Sequence, residues 1–161
     1  MIEVAGVYCN INELQLDATQ RTELIAIADS ITFDRYFTYN KLRGTRTETD
    51  NNFVGEIKEL ALPKWFQTKA KKFLAEGWPV FLKNKGAVPP HIDNTRQCSI
   101  TIPLNESNTP TIFDCDIKLF HNLQSYLQNN MVKHEVPHTE EDRYFLQISF
   151  TKPYGYIRQL L

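Results

Sequence analysis

Between residues 19 and 31 the apolar side chains Leu24, Ile25, Ile27, Ala28 and Ile31 recur at the spacing of one helical face. Thr19 or Asp17 stands where an N-cap is needed. A second helix is predicted over residues 62–76. There Trp65, Phe66, Ala70, Phe73 and Leu74 form an apolar stripe, and Lys64, Lys69, Lys71 and Lys72 point away from it as a solvated face. Pro63 fits its first turn and Gly77 ends it. Residues 1–8 read as a short strand, and residues 32–42, with Phe33, Tyr36, Phe37 and Tyr39, as another. Residues 43–52 carry charges and turn formers and almost nothing apolar. They read as a mobile loop, either an untethered surface segment or a lid in which Arg43 and Arg46 can meet an anionic substrate.

After Gly77 the period changes. Short β-like runs follow at 80–83, 99–104, 111–113, 125–127, 131–136 and 144–150. Turn signals separate them, at Lys85-Gly86, Val88-Pro89-Pro90, residues 105–110, Asn129-Asn130 and residues 139–142. Helices first and many short strands afterwards predict a mainly β fold with flanking helices, a double-stranded β-helix (jelly roll, cupin-like). The expected organisation is a single domain over 1–161, with residues 1–77 as a helical and strand support region and residues 78–161 as the jelly-roll core.

Composition narrows the class without naming a chemistry. A chain of 161 residues, 42% hydrophobic and 23% charged, suits one domain with a substantial core. Eighteen basic against nineteen acidic residues leave a net charge of -1, so no basic field speaks for nucleic acid. Three cysteines, Cys9, Cys98 and Cys115, are too few and odd in number for a secreted disulfide framework. No apolar run approaches the roughly 20 residues that span a bilayer, and the first residues do not form a signal sequence. A cytoplasmic protein is the expectation, with no membrane partner and its oligomeric state not legible.

Chemistry concentrates in the β half. In Pro90-His91-Ile92-Asp93-Asn94, residues i and i+2 of an extended segment project to the same face, so His91 and Asp93 can aim at one point. Further on, His134-Glu135-Val136-Pro137-His138 matches the H-E-x-x-H pattern of zinc hydrolases. That chemistry needs a helix, and Pro137 removes a backbone donor inside the five residues at a cost of about 3 kcal/mol. Residues 131–136 alternate instead like a strand. The other reading takes a histidine of this segment, His134 or alternatively His138, as the third member of a 2-His-1-carboxylate set with His91 and Asp93, the arrangement that leaves open positions on Fe(II). Arg143 then leads a strand on which Arg143, Phe145, Gln147 and Ser149 share one face, and Tyr144, Leu146, Ile148 and Phe150 the other. It is placed either to hold a carboxylate by a bidentate pair or to make a surface ion pair with Glu140 or Glu141.

With its H-x-D at His91 and Asp93, its distal H-E-V at His134 and its R-Y at Arg143 about nine positions later, the sequence resembles the Fe(II)/2-oxoglutarate-dependent dioxygenases, most of all their prolyl-hydroxylase branch. The likeness covers roughly residues 86–150 and includes residues 97–105 after the first motif. It implies Fe(II) ligands at His91, Asp93 and His134, 2-oxoglutarate as co-substrate with its far carboxylate on Arg143, and O2 as oxidant. The branch's tyrosine on the strand after H-x-D is missing. Thr101 can supply a hydroxyl there, or Tyr36 or Tyr39 can reach in, and Gln147 is the candidate for a second polar contact. The implied reaction is hydroxylation of an unidentified substrate, a peptidyl proline or another amino-acid side chain being favoured, with release of succinate and CO2. A zinc metallohydrolase on the His134–His138 segment and a cupin-like binding module without turnover stand as alternatives. His121 matches no motif and reads as an ordinary loop or strand residue.

Overall fold

The computed structural model describes residues 2–40, 45–93 and 95–161, with the side chains of residues 36–40, 45–51 and Cys115 left aside. In chain order the elements begin with β1 (Glu3–Val4), β2 (Tyr8–Asn10), α1 (Ala18–Asp29), β3 (Asp34–Asn40) and β4 (Thr45–Glu56). Next come α2 (Lys64–Lys69), α3 (Lys71–Leu74), β5 (Trp78–Asn84), β6 (Val88–His91) and β7 (Cys98–Pro103). The chain closes with β8 (Thr111–Phe113), β9 (Ile117–Leu119), β10 (Tyr126–Asn129), β11 (His134–Val136), β12 (Arg143–Phe150) and α4 (Tyr154–Arg158). None of the helices is long and apolar enough to cross a membrane.

The strands form two antiparallel sheets. The larger runs β1-β2-β10-β7-β12-β5-β4-β3 and the smaller β6-β11-β8-β9. Strands from both sides of residue 77 share the larger sheet, so the N-terminal region widens the sheet as well as supporting it. Both faces of its centre are buried, and strict alternation sorts its residues. From β12, Leu146, Ile148 and Phe150 join Ile100 and Ile102 of β7 in a core with Leu24 and Ala28 of α1, Phe66 of α2 and Phe73 of α3. The opposite register positions of the same strands, Arg143, Phe145 and Gln147 with Thr101, face the smaller sheet across a cavity.

Local chemistry explains the helices. Asp17 caps α1 by accepting the Gln20 N–H at 2.8 Å, while Gln20 Oε1 accepts the Asp17 N–H at 3.0 Å, a reciprocal capping box. The segment predicted as one helix over 62–76 is divided: the backbone leaves helical values at Ala70 (φ −99°, ψ 8°), although Leu74 N–H still reaches the Ala70 carbonyl. The apolar stripe survives the break, with Phe66, Ala70, Phe73 and Leu74 all buried.

Two expectations are corrected. From Thr45 on, the polar stretch expected to be a mobile loop is strand β4, paired with β3 from Asn40↔Thr45 to Asp34↔Val54. Arg43, one of its two candidate contacts, lies outside the described residues, as does the side chain of Arg46. Val88-Pro89-Pro90 is no turn but strand β6, tolerated because β6 is an edge strand of the smaller sheet, where a missing N–H breaks no ladder. The final helix, α4, went unread; it buries Tyr154 and Ile157, and Arg158 pairs with Glu3 at 3.1 Å.

Gly77 joins α3 to β5 where there is no room for a side chain. A Cβ there would collide with the Ser149 carbonyl oxygen and would lie 2.7 Å from the Phe150 ring. Gly77→Ala is therefore expected to destabilise the protein by about 1–3 kcal/mol through overpacking, read as a lower urea midpoint at unchanged slope. Gly155→Ala, where a Cβ meets nothing within 4 Å, is the matched control.

Candidate metal centre

The smaller sheet brings the two histidine motifs together by register. In the β6–β11 pair His91 lies directly across from His134, and the pairing shifts before Val136↔Val88. The ring centroids are 4.3 Å apart. Asp93 follows two residues after His91, anchored by its N–H to the Asn130 carbonyl at 3.2 Å. All three side chains are buried, and one ligand atom from each lies within 4.8 Å of the others.

Hydrogen bonds fix which nitrogen faces inward. His91 Nδ1 is 2.8 Å from the Pro89 carbonyl oxygen and His134 Nδ1 is 2.8 Å from the Val132 carbonyl oxygen. A carbonyl only accepts, so in the neutral rings the proton sits on Nδ1 and Nε2 carries a lone pair. Asp93 Oδ1 lies 2.9 Å from His91 Nε2 and 3.7 Å from His134 Nε2. His91 Nε2 makes no hydrogen bond. Lone pairs on two imidazoles and a carboxylate thus converge on a point with no proton between them, a donor set that fits a divalent cation.

The other carboxylate oxygen is held separately. Arg96 donates to Asp93 Oδ2 from Nε at 2.8 Å and Nη2 at 2.7 Å. Burial alone would raise the Asp93 pKa; Arg96, the His91 contact and the charge of His134 outweigh it and hold the carboxyl well below the ordinary carboxylate range. Burial lowers His134 to about 4 against the pull of Asp93.

Arg96 also opens a buried polar chain. Its Nη1 donates to Gln147 Oε1 at 2.6 Å, and Gln147 Nε2 donates to Thr101 Oγ1 at 2.9 Å. Thr101 Oγ1 in turn donates to Gln128 Oε1 at 3.4 Å, and Gln128 Nε2 to Asn130 Oδ1 at 3.1 Å. Thr101 and Gln147, two predicted co-substrate contacts, therefore line the cavity but are engaged with each other. Tyr36 and Tyr39, the alternatives to Thr101, have side chains outside those described.

Arg143, the first residue of β12, is 1% exposed. Its Nη1 donates to the Thr109 carbonyl at 3.1 Å, its Nε has no partner, and among the described residues no carboxylate forms an ion pair with it. Burial lowers its pKa to about 10, so it is a cation at neutral pH. The cavity it lines, about 60 Å³, also contains His91, His134, Thr101 and Gln147.

Two alternatives do not fit the structure. His138 is far from buried, 64% exposed, and pairs with Glu140 at 2.8 Å, so it does not replace His134. His134–Val136 is a strand ending at Pro137, which removes the helical spacing that the H-E-x-x-H reading requires. Among the lining residues, Arg96 is not among the predicted site residues, although its spacing of three from Asp93 is a legible signal of an ion pair, and His121, expected to be an ordinary loop or strand residue, also lines the cavity, which no local pattern marks.

No family model matches the chain, and no curated protein matches it in sequence. Solved structures do match. A prolyl hydroxylase from Trichoplax adhaerens, in complex with a hypoxia inducible factor oxygen degradation domain peptide fragment, superposes with a TM-score of 0.65 over 97% of this chain and 87% of that one, at 14% identity. The chain has the fold of the 2-oxoglutarate and Fe(II) oxygenases. HygX from Streptomyces hygroscopicus, with nickel, 2-oxoglutarate and hygromycin B bound, gives a TM-score of 0.59 over 89% of this chain and 82% of that one, at 8% identity. A prolyl-4-hydroxylase from Pseudomonas putida gives 0.56 over 92% and 94%, at 14% identity. This oxygenase fold is the double-stranded β-helix predicted from the strand pattern.

The buried histidines make the metal-free protein acid-sensitive. His134 falls to about 4 and His121 to about 3, the latter through burial and then Arg143, against about 6.5 when unfolded. Between those values the unfolded chain binds more protons, so the stability contribution is whole above pH 6.5 and is lost as pH falls. At pH 5 the loss is on the order of 2 kcal/mol per histidine. Urea midpoints of metal-free protein are expected to drop from pH 7 to pH 5, and to drop less in His134→Gln or His121→Asn; equal midpoints for the unsubstituted protein would contradict the assignment.

Proposed function

We propose that this protein is a 2-oxoglutarate-dependent oxygenase in which His91 Nε2, Asp93 Oδ1 and His134 Nε2 hold Fe(II). The observation that carries the reading is the convergence of three proton-free ligand atoms beside a cavity that also contains a buried arginine with no ion-pair partner among the described residues. A three-ligand face leaves positions for a chelating keto acid and for O2. Bound Fe(II) with 2-oxoglutarate would supply the oxidising chemistry, converting 2-oxoglutarate, O2 and a substrate C–H bond into succinate, CO2 and a C–OH bond.

The chain's own groups do the rest. The Pro89 and Val132 carbonyls keep both imidazoles in the tautomer that presents Nε2. Arg96 occupies Asp93 Oδ2 and so leaves Oδ1 for the metal. Arg143 pairs with the far carboxylate of 2-oxoglutarate, orienting the keto acid so that its other end reaches the three ligands. Thr101 and Gln147 complete the polar lining. Buried on both sheets, these groups exclude bulk water and meet the co-substrate with little reorganisation. The small acid lies along this polar lining, and the substrate approaches from the cavity's mouth. Hydroxylation of a peptidyl proline or another amino-acid side chain is favoured, supported by the prolyl hydroxylases among the structures that share the fold.

Succinate release over a panel of proline-containing peptides and free amino acids, with Fe(II) and 2-oxoglutarate, tests the reading. Asp93→Ala is expected to lower Fe(II)-dependent turnover by roughly a thousandfold, since it removes a ligand and the carboxylate that Arg96 grips. Arg143→Ala is expected to weaken 2-oxoglutarate by about a hundredfold while sparing metal affinity. A protein that binds Fe(II) and 2-oxoglutarate yet releases succinate with no panel member, even uncoupled from substrate, would be a binding module instead.

A further inference from the structure

His121 is a fully buried histidine that the metal centre does not use. It lies in the connection between β9 and β10, 6% exposed, and lines the same cavity as Arg143. Its Nε2 is 3.2 Å from Thr111 Oγ1. Its Nδ1 is buried without any hydrogen-bond partner. The imidazole packs against the Phe145 ring at 5.2 Å between centroids, and the Arg143 guanidinium carbon lies 5.3 Å from the same centroid. Arg143 is held from the neighbouring segment through the Thr109 carbonyl, two residues before the Thr111 that holds His121. Two buried groups with unpartnered nitrogens, Arg143 Nε and His121 Nδ1, thus flank one aromatic ring in one cavity.

An unpartnered buried polar atom costs roughly 1–3 kcal/mol, so two of them on side chains that line one cavity point to a ligand that satisfies both. Thr111 allows His121 to act as a donor. A hydroxyl can donate to Nε2, which leaves the proton on Nδ1 as a donor. In the reverse tautomer the bare Nδ1 lone pair would repel any anion that Arg143 attracts. A neutral imidazole beside one guanidinium makes a site of net charge +1, matched to a carboxylate and undercharged for a phosphate dianion. Burial and Arg143 together keep the imidazole neutral, far below its ordinary pKa.

We infer that His121 donates from Nδ1 to the far carboxylate of a short keto-dicarboxylate, as the second partner beside Arg143, with Thr111 holding its tautomer. This rests on the reading of the cavity as a 2-oxoglutarate site and names the residue that stands in where the sequence has no tyrosine.

The test is calorimetric binding to the Mn(II)-loaded protein under anaerobic conditions, with two ligands. 2-Oxoglutarate has the far carboxylate; 2-oxobutyrate has the same chelating end and lacks it. His121→Phe is expected to weaken 2-oxoglutarate about 10- to 100-fold, the range for one charge-assisted hydrogen bond, and to leave Mn(II) and 2-oxobutyrate affinities within ~2-fold. His121→Asn, whose amide N–H can take the place of Nδ1–H, should recover most of the loss. Thr111→Val should weaken 2-oxoglutarate alone by a few-fold and serves if the aromatic variant folds poorly. Unchanged 2-oxoglutarate affinity in His121→Phe overturns the inference and leaves the oxygenase reading standing. Equal losses for both ligands assign His121 a packing role and overturn it as well. If the unsubstituted Mn(II)-loaded protein binds no 2-oxoglutarate, both readings fall together.

Discussion

The pairing of β6 with β11 sets His91 and His134 side by side with their Nδ1 protons committed to backbone carbonyls and their Nε2 lone pairs turned toward Asp93. Two acceptors and a carboxylate held this close repel one another unless a cation lies among them. The fold accepts that repulsion because the backbone, not the side chains, determines the geometry. Each ring hangs from a carbonyl two residues back, and the strands that carry the rings are held by ladder hydrogen bonds. A one-residue slip would turn one imidazole away from the other.

From Asp93 the constraint passes into the larger sheet. Arg96, Gln147, Thr101, Gln128 and Asn130 form a continuous buried chain across β12, β7 and β10, so the carboxylate is fixed relative to three central strands. These groups satisfy one another. The atoms left without partners among the cavity's residues are His91 Nε2, His121 Nδ1, Arg143 Nε and Asn84 Oδ1. The structure is saturated around the cavity and deficient inside it. A ligand that repairs the deficiency stabilises the fold by mass action, about 2.7 kcal/mol at a hundred times its dissociation constant.

The alternation of β12 was legible because it is a central strand, where period-2 patterning separates a helix-covered core from a polar cavity. Phe145 and Gln147 fall on one side and Leu146 and Ile148 on the other, as their spacing implies. Spacing raised the histidine convergence but left His134 and His138 both open; the family resemblance pointed to His134, and the register of β6 on β11 supplies the physical reason. Edge position misled the reading twice. Val88-Pro89-Pro90 carries turn residues yet extends along a sheet margin, and the polar residues of β4 pair in the outer hairpin of the larger sheet, where little apolar burial is required. His121 left no local trace, because what matters about it is its tertiary proximity to Arg143 and Phe145.

The prolines of β6 have a consequence beyond the fold. An unpaired sheet edge invites backbone pairing from another chain, and this one, which β3 and β4 approach, carries His91. Two of the four residues of β6 have no amide hydrogen, so an incoming extended segment finds too few donors to zip onto it. The rim beside His91 and Asp93 therefore offers few amide donors to any extended segment laid along it.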